Sequence, residues 1–184
     1  IMGKRKLVSI VIPSYHRPFI LKEAILSALN QSYMDIEILV VDDNEPDSKY
    51  QQLTERIVAS IYDDRIRYIK QTNHGNGAVA RNTGIKDSKG HFISFLDDDD
   101  VYLKDKVKLE VEYLEKYSAY DAVYCGRFEK GQIVLPILKE DLTEEILLAK
   151  HFPCTSTLMF RREALIDLGG FNESFFRYQD LELL

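Results

Sequence analysis

The stretch Ile93-Ser94-Phe95-Leu96-Asp97-Asp98-Asp99-Asp100 decides how this chain is read. Its first half is a short apolar run of the kind that forms a strand buried on both faces, as in parallel sheets. Four consecutive carboxylates follow. Their mutual repulsion is tolerable when the run is solvated or when a divalent cation neutralises it, and hard oxygen ligands of this type suit Mg²⁺, Mn²⁺ or Ca²⁺. The plain alternative is an acidic loop that ends the strand and caps the next helix, where carboxylates favour the positive end of the helix dipole. An EF-hand starting at Asp97 is excluded, because its sixth position needs glycine and its twelfth glutamate; the chain has Tyr102 and Lys108 there.

Outward from this run, apolar segments alternate with helical patterns. Leu7 to Pro13 predicts a strand, Ile20 to Asn30 a helix, Ile36 to Val41 a strand and Ser48 to Ile61 a helix. The pattern continues with Ile66 to Lys70, the helix Ala78 to Asp87, the strand His91 to Leu96 and the helix Lys104 to Tyr117, then strands over Ala122 to Phe128 and Thr155 to Arg161. Such alternation means βαβ units and a parallel sheet. Pro18 suits a first helical turn, Asp47 an N-cap, and Gly90 and Gly169-Gly170 helix ends. In open α/β sheets ligands sit beyond the carboxyl ends of the strands. Three polar clusters fall at such ends: Ser14-Tyr15-His16-Arg17, Asp42-Asp43-Asn44 and the Asp97 run, and all three are expected in one crevice.

Composition narrows the function. With 184 residues and 45% hydrophobic content the chain has material for one well-buried core. A net charge of −6 argues against binding nucleic acid, whose affinity rests on lysine and arginine neutralising phosphates. Cys125 and Cys154 show neither a disulfide framework nor zinc-ligand spacing, which fits a reducing, cytoplasmic compartment. No apolar run reaches the length of a membrane span.

Individual residues sharpen this. Asp43, after a strand, is placed to accept hydrogen bonds from a base or ribose, although Asp and Asn also favour Asx turns on their own account. The loop Asn73 to Gly77 runs into a helix carrying Arg81 one turn in, and a helix start of this kind can approach an anion. It lacks the lysine of a phosphate-binding P-loop and the spacing of a dinucleotide fingerprint. Tyr15 offers an aromatic face to a nucleobase, whereas Tyr33, Tyr50, Tyr62 and Tyr68 are read as packing residues. His16, His74, His91 and His151 have no ligand spacing. Asp180 is a lone carboxylate after the Gly169-Gly170 loop; it gains a role as base only if the fold brings it to the acidic run.

Taken in order, VSIVIPSYHRP, ILVVDDNEPDS, GNGAVARNTGIKDSKGHFISFLDDDD, STLMFRREALIDLGGFNESF and RYQDLEL resemble glycosyltransferase family 2 over nearly the whole chain. The resemblance implies a GT-A fold, a Rossmann-like three-layer α/β/α sandwich with a mainly parallel central sheet, forming one domain. Its nucleotide-binding part covers about residues 5–100 and its acceptor-side part about 101–184. It also implies an inverting hexosyltransferase that uses a nucleotide-diphosphate sugar, UDP-sugar foremost, in polysaccharide or glycoconjugate synthesis. Pro13 and Tyr15 would border the base, Asp43 would bond it, and Arg81 would stand on the nucleotide side. Asp97 and Asp98 would face the ribose and diphosphate; Asp99, with Asp97, would hold Mg²⁺ or Mn²⁺. Asp180 would be the catalytic base; should that assignment fail, Glu173 and Glu182 are the carboxylates to examine. The acceptor would be a carbohydrate or a lipid-linked molecule, with the protein cytoplasmic at the inner membrane face.

Two departures stand out. Gln179 occupies the place before the base where the family usually has an acid, and His16 replaces a more usual asparagine. Because the sequence stops at Leu184, just past Asp180, a C-terminally truncated domain with a loosely held end is expected. Two other readings share these features: a sugar-phosphate nucleotidyltransferase, whose glycine-rich lysine-bearing N-terminal loop is missing here, and a module that binds nucleotide sugar without turning it over.

Overall fold

A computed structural model describes residues 6–71, 75–137, 144, 153–175, 179 and 183. Four βα units open the chain: β1 (Val8–Ser14), α1 (Pro18–Leu29), β2 (Ile36–Asp42), α2 (Lys49–Ala59), β3 (Ile66–Lys70), α3 (Gly77–Asp87), β4 (Phe92–Phe95) and α4 (Lys106–Lys116). There follow β5 (Ala122–Tyr124), the hairpin β6 (Arg127–Glu129) and β7 (Gln132–Val134), a 3-10 turn at Thr155–Thr157, β8 (Leu158–Arg161) and α5 (Arg162–Asp167). The six-stranded sheet has the order β3-β2-β1-β4-β8-β5. β1 to β4 are parallel, and β8 runs against both of its neighbours.

Every residue of β2 and β4 is buried, and β1 is buried but for Pro13 at its end, as a sheet covered on both faces requires. One face packs against α1, α2 and α4 through Leu21, Ile25, Val58, Val107, Val111 and Leu114. The other packs against α3 and α5 through Ala78, Ala80, Ile85 and Leu165. The result is the expected three-layer sandwich. Chain order reverses direction across the sheet between β1 and β4, which is where a crevice opens at the strand ends.

Two local features aim the site. At Gly84 a Cβ would lie 2.3 Å from Val11 Cγ1, so glycine lets α3 settle directly on β1 and carries Arg81, one turn earlier, over the strand ends. Phe95 meets Phe160 and Phe171 edge-on at centroid distances of 6.3 and 5.2 Å, which fixes β4 just before the acidic run.

Several expectations need correction. The segment Ala122 to Phe128 is not one strand, because β5 stops at Tyr124 and Arg127–Glu129 turns away to pair with β7. Thr155–Thr157 is a 3-10 turn, and β8 starts at Leu158. Ser48, not Asp47, caps α2, its side chain accepting from the Gln51 N–H, while Asp47 adopts φ +60°. Gly90 does not end a helix; its missing Cβ admits the Ser9 backbone nitrogen, which would lie 2.6 Å away. Gly169 and Gly170 do follow α5, both with positive φ. Tyr62 is 97% exposed and packs in no core, and Tyr50 stacks on His16 instead.

Candidate active site

The three polar clusters meet in one open cleft at the carboxyl ends of β1, β2 and β4, with Tyr15, Arg17, Asp43, Arg81, Asp97 and Asp98 among its walls. Pro13 lies at its floor, the last residue but one of β1. The β1 and β2 ends are in register, Ser14 opposite Asp42, so the residues that follow each strand emerge side by side.

Within Asp42-Asp43-Asn44 the structural and the cleft-facing tasks are divided. Asp42 is fully buried and accepts hydrogen bonds from the Asn44 N–H at 2.9 Å, from Asn44 Nδ2 at 2.7 Å and from the Tyr68 hydroxyl. That is the turn-forming role. Asp43 lines the cleft and accepts from the Gly75 N–H at 3.0 Å, tying the glycine loop to the end of β2.

Tyr15, 40% exposed, stacks on the His16 ring at 3.8 Å and donates its hydroxyl to Glu45 at 3.0 Å. His16 takes a left-handed φ of +56°, held by its N–H to Asn44 Oδ1 at 2.9 Å, and its ring also stacks on Tyr50 at 4.2 Å. Glu45 bonds both rings; the His16 contact foremost holds its carboxyl at about 2. The Tyr15 ring is thereby set at the mouth of the cleft. Histidine, like asparagine, is among the non-glycine residues enriched at positive φ, and stacking on Tyr15 and Tyr50 holds its ring.

Arg81 is buried. Its Nη2 lies 2.5 Å from Asp97 Oδ1, its Nη1 donates to Gln179 Oε1 at 2.8 Å, and its guanidinium carbon sits 5.5 Å from the Phe171 ring centroid. Gly77 makes room for it, since a Cβ there would come within 2.8 Å of Nη1. The helix start is less open to an anion than the sequence suggests, because the Asn76 side chain already accepts from the N–H groups of Ala78 and Val79.

The acidic run turns back on itself, with the Asp100 N–H donating to the Asp97 carbonyl at 3.0 Å. Ser156, from the 3-10 turn, braces it: its hydroxyl donates to Asp100 Oδ2 at 2.5 Å and accepts from the Asp97 N–H at 3.0 Å. Asp98 is 1% exposed, contacts Arg17 Nη2 at 2.7 Å and accepts from the Tyr15 N–H at 3.3 Å. Burial outweighs these contacts and pushes its carboxyl up to about 6. Asp99 is half-exposed and bonded to Arg17. Beneath the run, Tyr102 donates to the Phe95 carbonyl, and Lys106 Nζ bonds Ser94 Oγ at 3.1 Å and Glu110 Oε2 at 2.7 Å.

Among the described residues no three ligating side chains converge to cage an ion by themselves. The donor set nevertheless fits Mg²⁺ or Mn²⁺, which are commonly held by one or two carboxylates with substrate phosphates completing the shell. Asp97 lines the cleft with Oδ1 on Arg81, and Asp99 is half-exposed beside it with Oδ2 on Arg17. Asp180 and Glu182 lie outside the described residues. Gln179 bonds the Phe175 carbonyl at 2.7 Å as well as Arg81; the Asp180 segment expected to be loosely held lies outside the described residues. Glu173 accepts from Asn82 Nδ2 at 2.9 Å on the α3 side. The sequence marks Gln179 only as a departure from the family pattern and singles out neither Arg17 nor Ser156. Arg17 stood in a cluster named for its place at a strand end, while nothing local marks Ser156.

Residues 9–169 match Glycosyl transferase family 2. A glycosyltransferase of Rickettsia conorii is 38% identical over 96% of this chain and 30% of its own length. The amylovoran biosynthesis glycosyltransferase AmsB of Erwinia amylovora is 30% identical over 95% of this chain and 62% of its own. The chain therefore spans less than two thirds of each of these relatives. Two solved structures share the fold at 20% identity: S. aureus TarS, with a TM-score of 0.74 over 96% of this chain and 32% of that one, and the mannosyltransferase PcManGT of Pyrobaculum calidifontis in complex with GDP-Man and Mn²⁺, with 0.75 over 98% and 51%. The sheet order, the strand-end cleft and the match over most of its length place this chain in glycosyl transferase family 2, with a GT-A fold.

Proposed function

We propose that this chain is the donor-binding domain of a metal-dependent inverting glycosyltransferase that moves a hexose from a nucleotide-diphosphate sugar, UDP-sugar foremost, to an acceptor hydroxyl. The observation that carries the reading is the single cleft in which an aromatic ring, a strand-end carboxylate, a buried arginine and the acidic run face one another. Tyr15 would cover the base and Asp43 would accept hydrogen bonds from it. Pro13 shapes the floor beneath them. Arg81 would face the diphosphate, with Asp97 and Asp98 toward the ribose and phosphates. Asp99, with Asp97, would hold Mg²⁺ or Mn²⁺, which when bound offsets the charge growing on the departing diphosphate. Asp180 would take the acceptor proton as the hydroxyl attacks the anomeric carbon. Because inversion is one in-line displacement, no covalent nucleophile is required.

Relatives support this reading from two sides. TarS has been solved with UDP and with UDP-GlcNAc, and PcManGT with GDP-Man and Mn²⁺. AmsB is a biosynthesis glycosyltransferase for amylovoran, which supports a polysaccharide or glycoconjugate product. No helix among the described residues is long and apolar enough to cross a membrane, and we place the domain in the cytoplasm at the inner membrane face, where a lipid-linked or carbohydrate acceptor would be met. A thermal-shift comparison of UDP, GDP, ADP and TDP, each with and without Mn²⁺, tests the reading. A ligand that binds only the native state raises the melting temperature. One nucleotide should do so in a Mn²⁺-dependent way; no shift with any of them refutes the donor assignment.

A further inference from the structure

Arg17 has no part in the reading above, yet its guanidinium holds two members of the acidic run. Nη2 lies 2.7 Å from Asp98 Oδ1, and Nη1 is bonded to Asp99 Oδ2. It reaches them from the turn between β1 and α1, across the point where the sheet order reverses. Arg81 meanwhile holds Asp97. Three of the run's four carboxylates thus face two guanidinium groups, while the fourth, Asp100, takes the Ser156 hydroxyl, so the run stays net negative before any ligand arrives.

The two contacts of Arg17 are unequal. Asp98 is 1% exposed, whereas Asp99 and Arg17 itself are each 46% exposed. Removing the counter-charge from a buried carboxylate costs far more than removing it from a solvated one. When the pair opens, the Asp99 contact is the one to break. A divalent cation on Asp99 is opposed by that contact, because the guanidinium already bonds Asp99 Oδ2 and repels a second cation at contact distance.

We propose that Arg17 is the resident counter-ion of the acidic run and gates it. A divalent cation gains Asp99 as Arg17 releases it, and the donor diphosphate supplies the oxyanion to which the freed side of the guanidinium turns, with Asp98 still held. This rests on the cleft being the donor site. Metal alone then binds weakly, metal and nucleotide diphosphate bind cooperatively, and the coupling is reciprocal.

The test is titration of Mn²⁺ into the wild-type chain, Arg17→Gln and Arg17→Lys, following free Mn²⁺ by electron paramagnetic resonance, with no nucleotide and then with saturating UDP or GDP. Arg17→Gln should bind Mn²⁺ alone about 10-fold tighter than wild type, the scale on which neighbours of a metal ligand tune affinity. Nucleotide should then enhance its Mn²⁺ binding far less than it does in wild type. Lysine keeps the charge but is a point donor that does not span both carboxylates, so Arg17→Lys should fall between the two, and it decides the matter if Arg17→Gln does not fold. Unchanged or weaker Mn²⁺ affinity without nucleotide overturns the proposal. A wild-type chain that binds neither UDP nor GDP in Mn²⁺ instead refutes the donor reading, and the metal-only comparison still judges Arg17.

Discussion

Gly77→Ala sets two magnitudes against each other. Gly77 opens α3, and alanine in a helix is favoured over glycine by up to about 1 kcal/mol. Against this, the new methyl would lie 2.8 Å from Arg81 Nη1 and 3.2 Å from Gln179 Oε1. Arg81 has little room to yield, being pinned by Asp97 at 2.5 Å and lying over the Phe171 ring. Losing the charge-assisted bond to Gln179 costs about 1.5–3 kcal/mol. The net is a destabilisation of roughly 0.5–2 kcal/mol, or about 1–8 °C in melting temperature for a domain of this size. Because Arg81 must shift, nucleotide-diphosphate affinity should fall by about 10-fold, a 1.4 kcal/mol change. Differential scanning calorimetry and isothermal titration with the nucleotide found by the screen would measure both. A raised melting temperature with unchanged affinity would show that the guanidinium moves aside freely, and that the Arg81–Gln179 contact positions nothing.

Asp99→Asn keeps the shape and removes the charge, so calorimetry in Mn²⁺ should show nucleotide affinity reduced by at least ~10-fold; unchanged affinity would move the metal elsewhere. Tyr15→Ala and Asp43→Ala should each weaken UDP binding, and a fall in melting temperature alone would make them packing and turn residues. Lys106→Met strands the buried Glu110 carboxylate and should cost about 3–5 kcal/mol in urea unfolding, whereas Lys106→Met/Glu110→Leu should recover most of it. In a longer form of the protein, Asp180→Asn should leave donor binding near normal while sugar transfer falls by ~10²-fold or more; transfer at the normal rate would turn attention to Glu173 or Glu182.

The parts of the molecule set by local periodicity were legible from the residues alone. β1 to β4 and their helices announce themselves as apolar runs and 3.6-residue patterns, and the rule that ligands sit at strand ends brings Tyr15, Asp43 and Asp97 into one crevice without coordinates. What failed depends on partners distant in sequence. Ala122 to Phe128 looks like one strand because its composition is continuous, but β8 offers edge only as far as Tyr124, and the chain leaves to make its own hairpin. Asp42 and Asp43 are indistinguishable as letters; the pleat sends one to Tyr68 in the interior and the other to the cleft. Arg17 is legible only as one member of a strand-end cluster; that it bonds Asp98 and Asp99 follows from β4 lying beside β1.

Gln179 shows how one departure from the family pattern fits its surroundings. Its amide uses both ends: Oε1 accepts from Arg81, and Nε2 donates to the Phe175 carbonyl at 2.7 Å and toward Asn76 Oδ1 at 3.4 Å. A carboxylate has no donor for those two oxygens and would face them with like partial charge in a buried position. It would also give Arg81 a second negative partner beside Asp97, cancelling the charge that the guanidinium presents to the cleft. The neutral amide ties Gln179 to α3 while leaving Arg81 only one carboxylate, Asp97, among these contacts. Among the described residues, Gln179 and Asp97 of the acidic run thus share Arg81 as a partner.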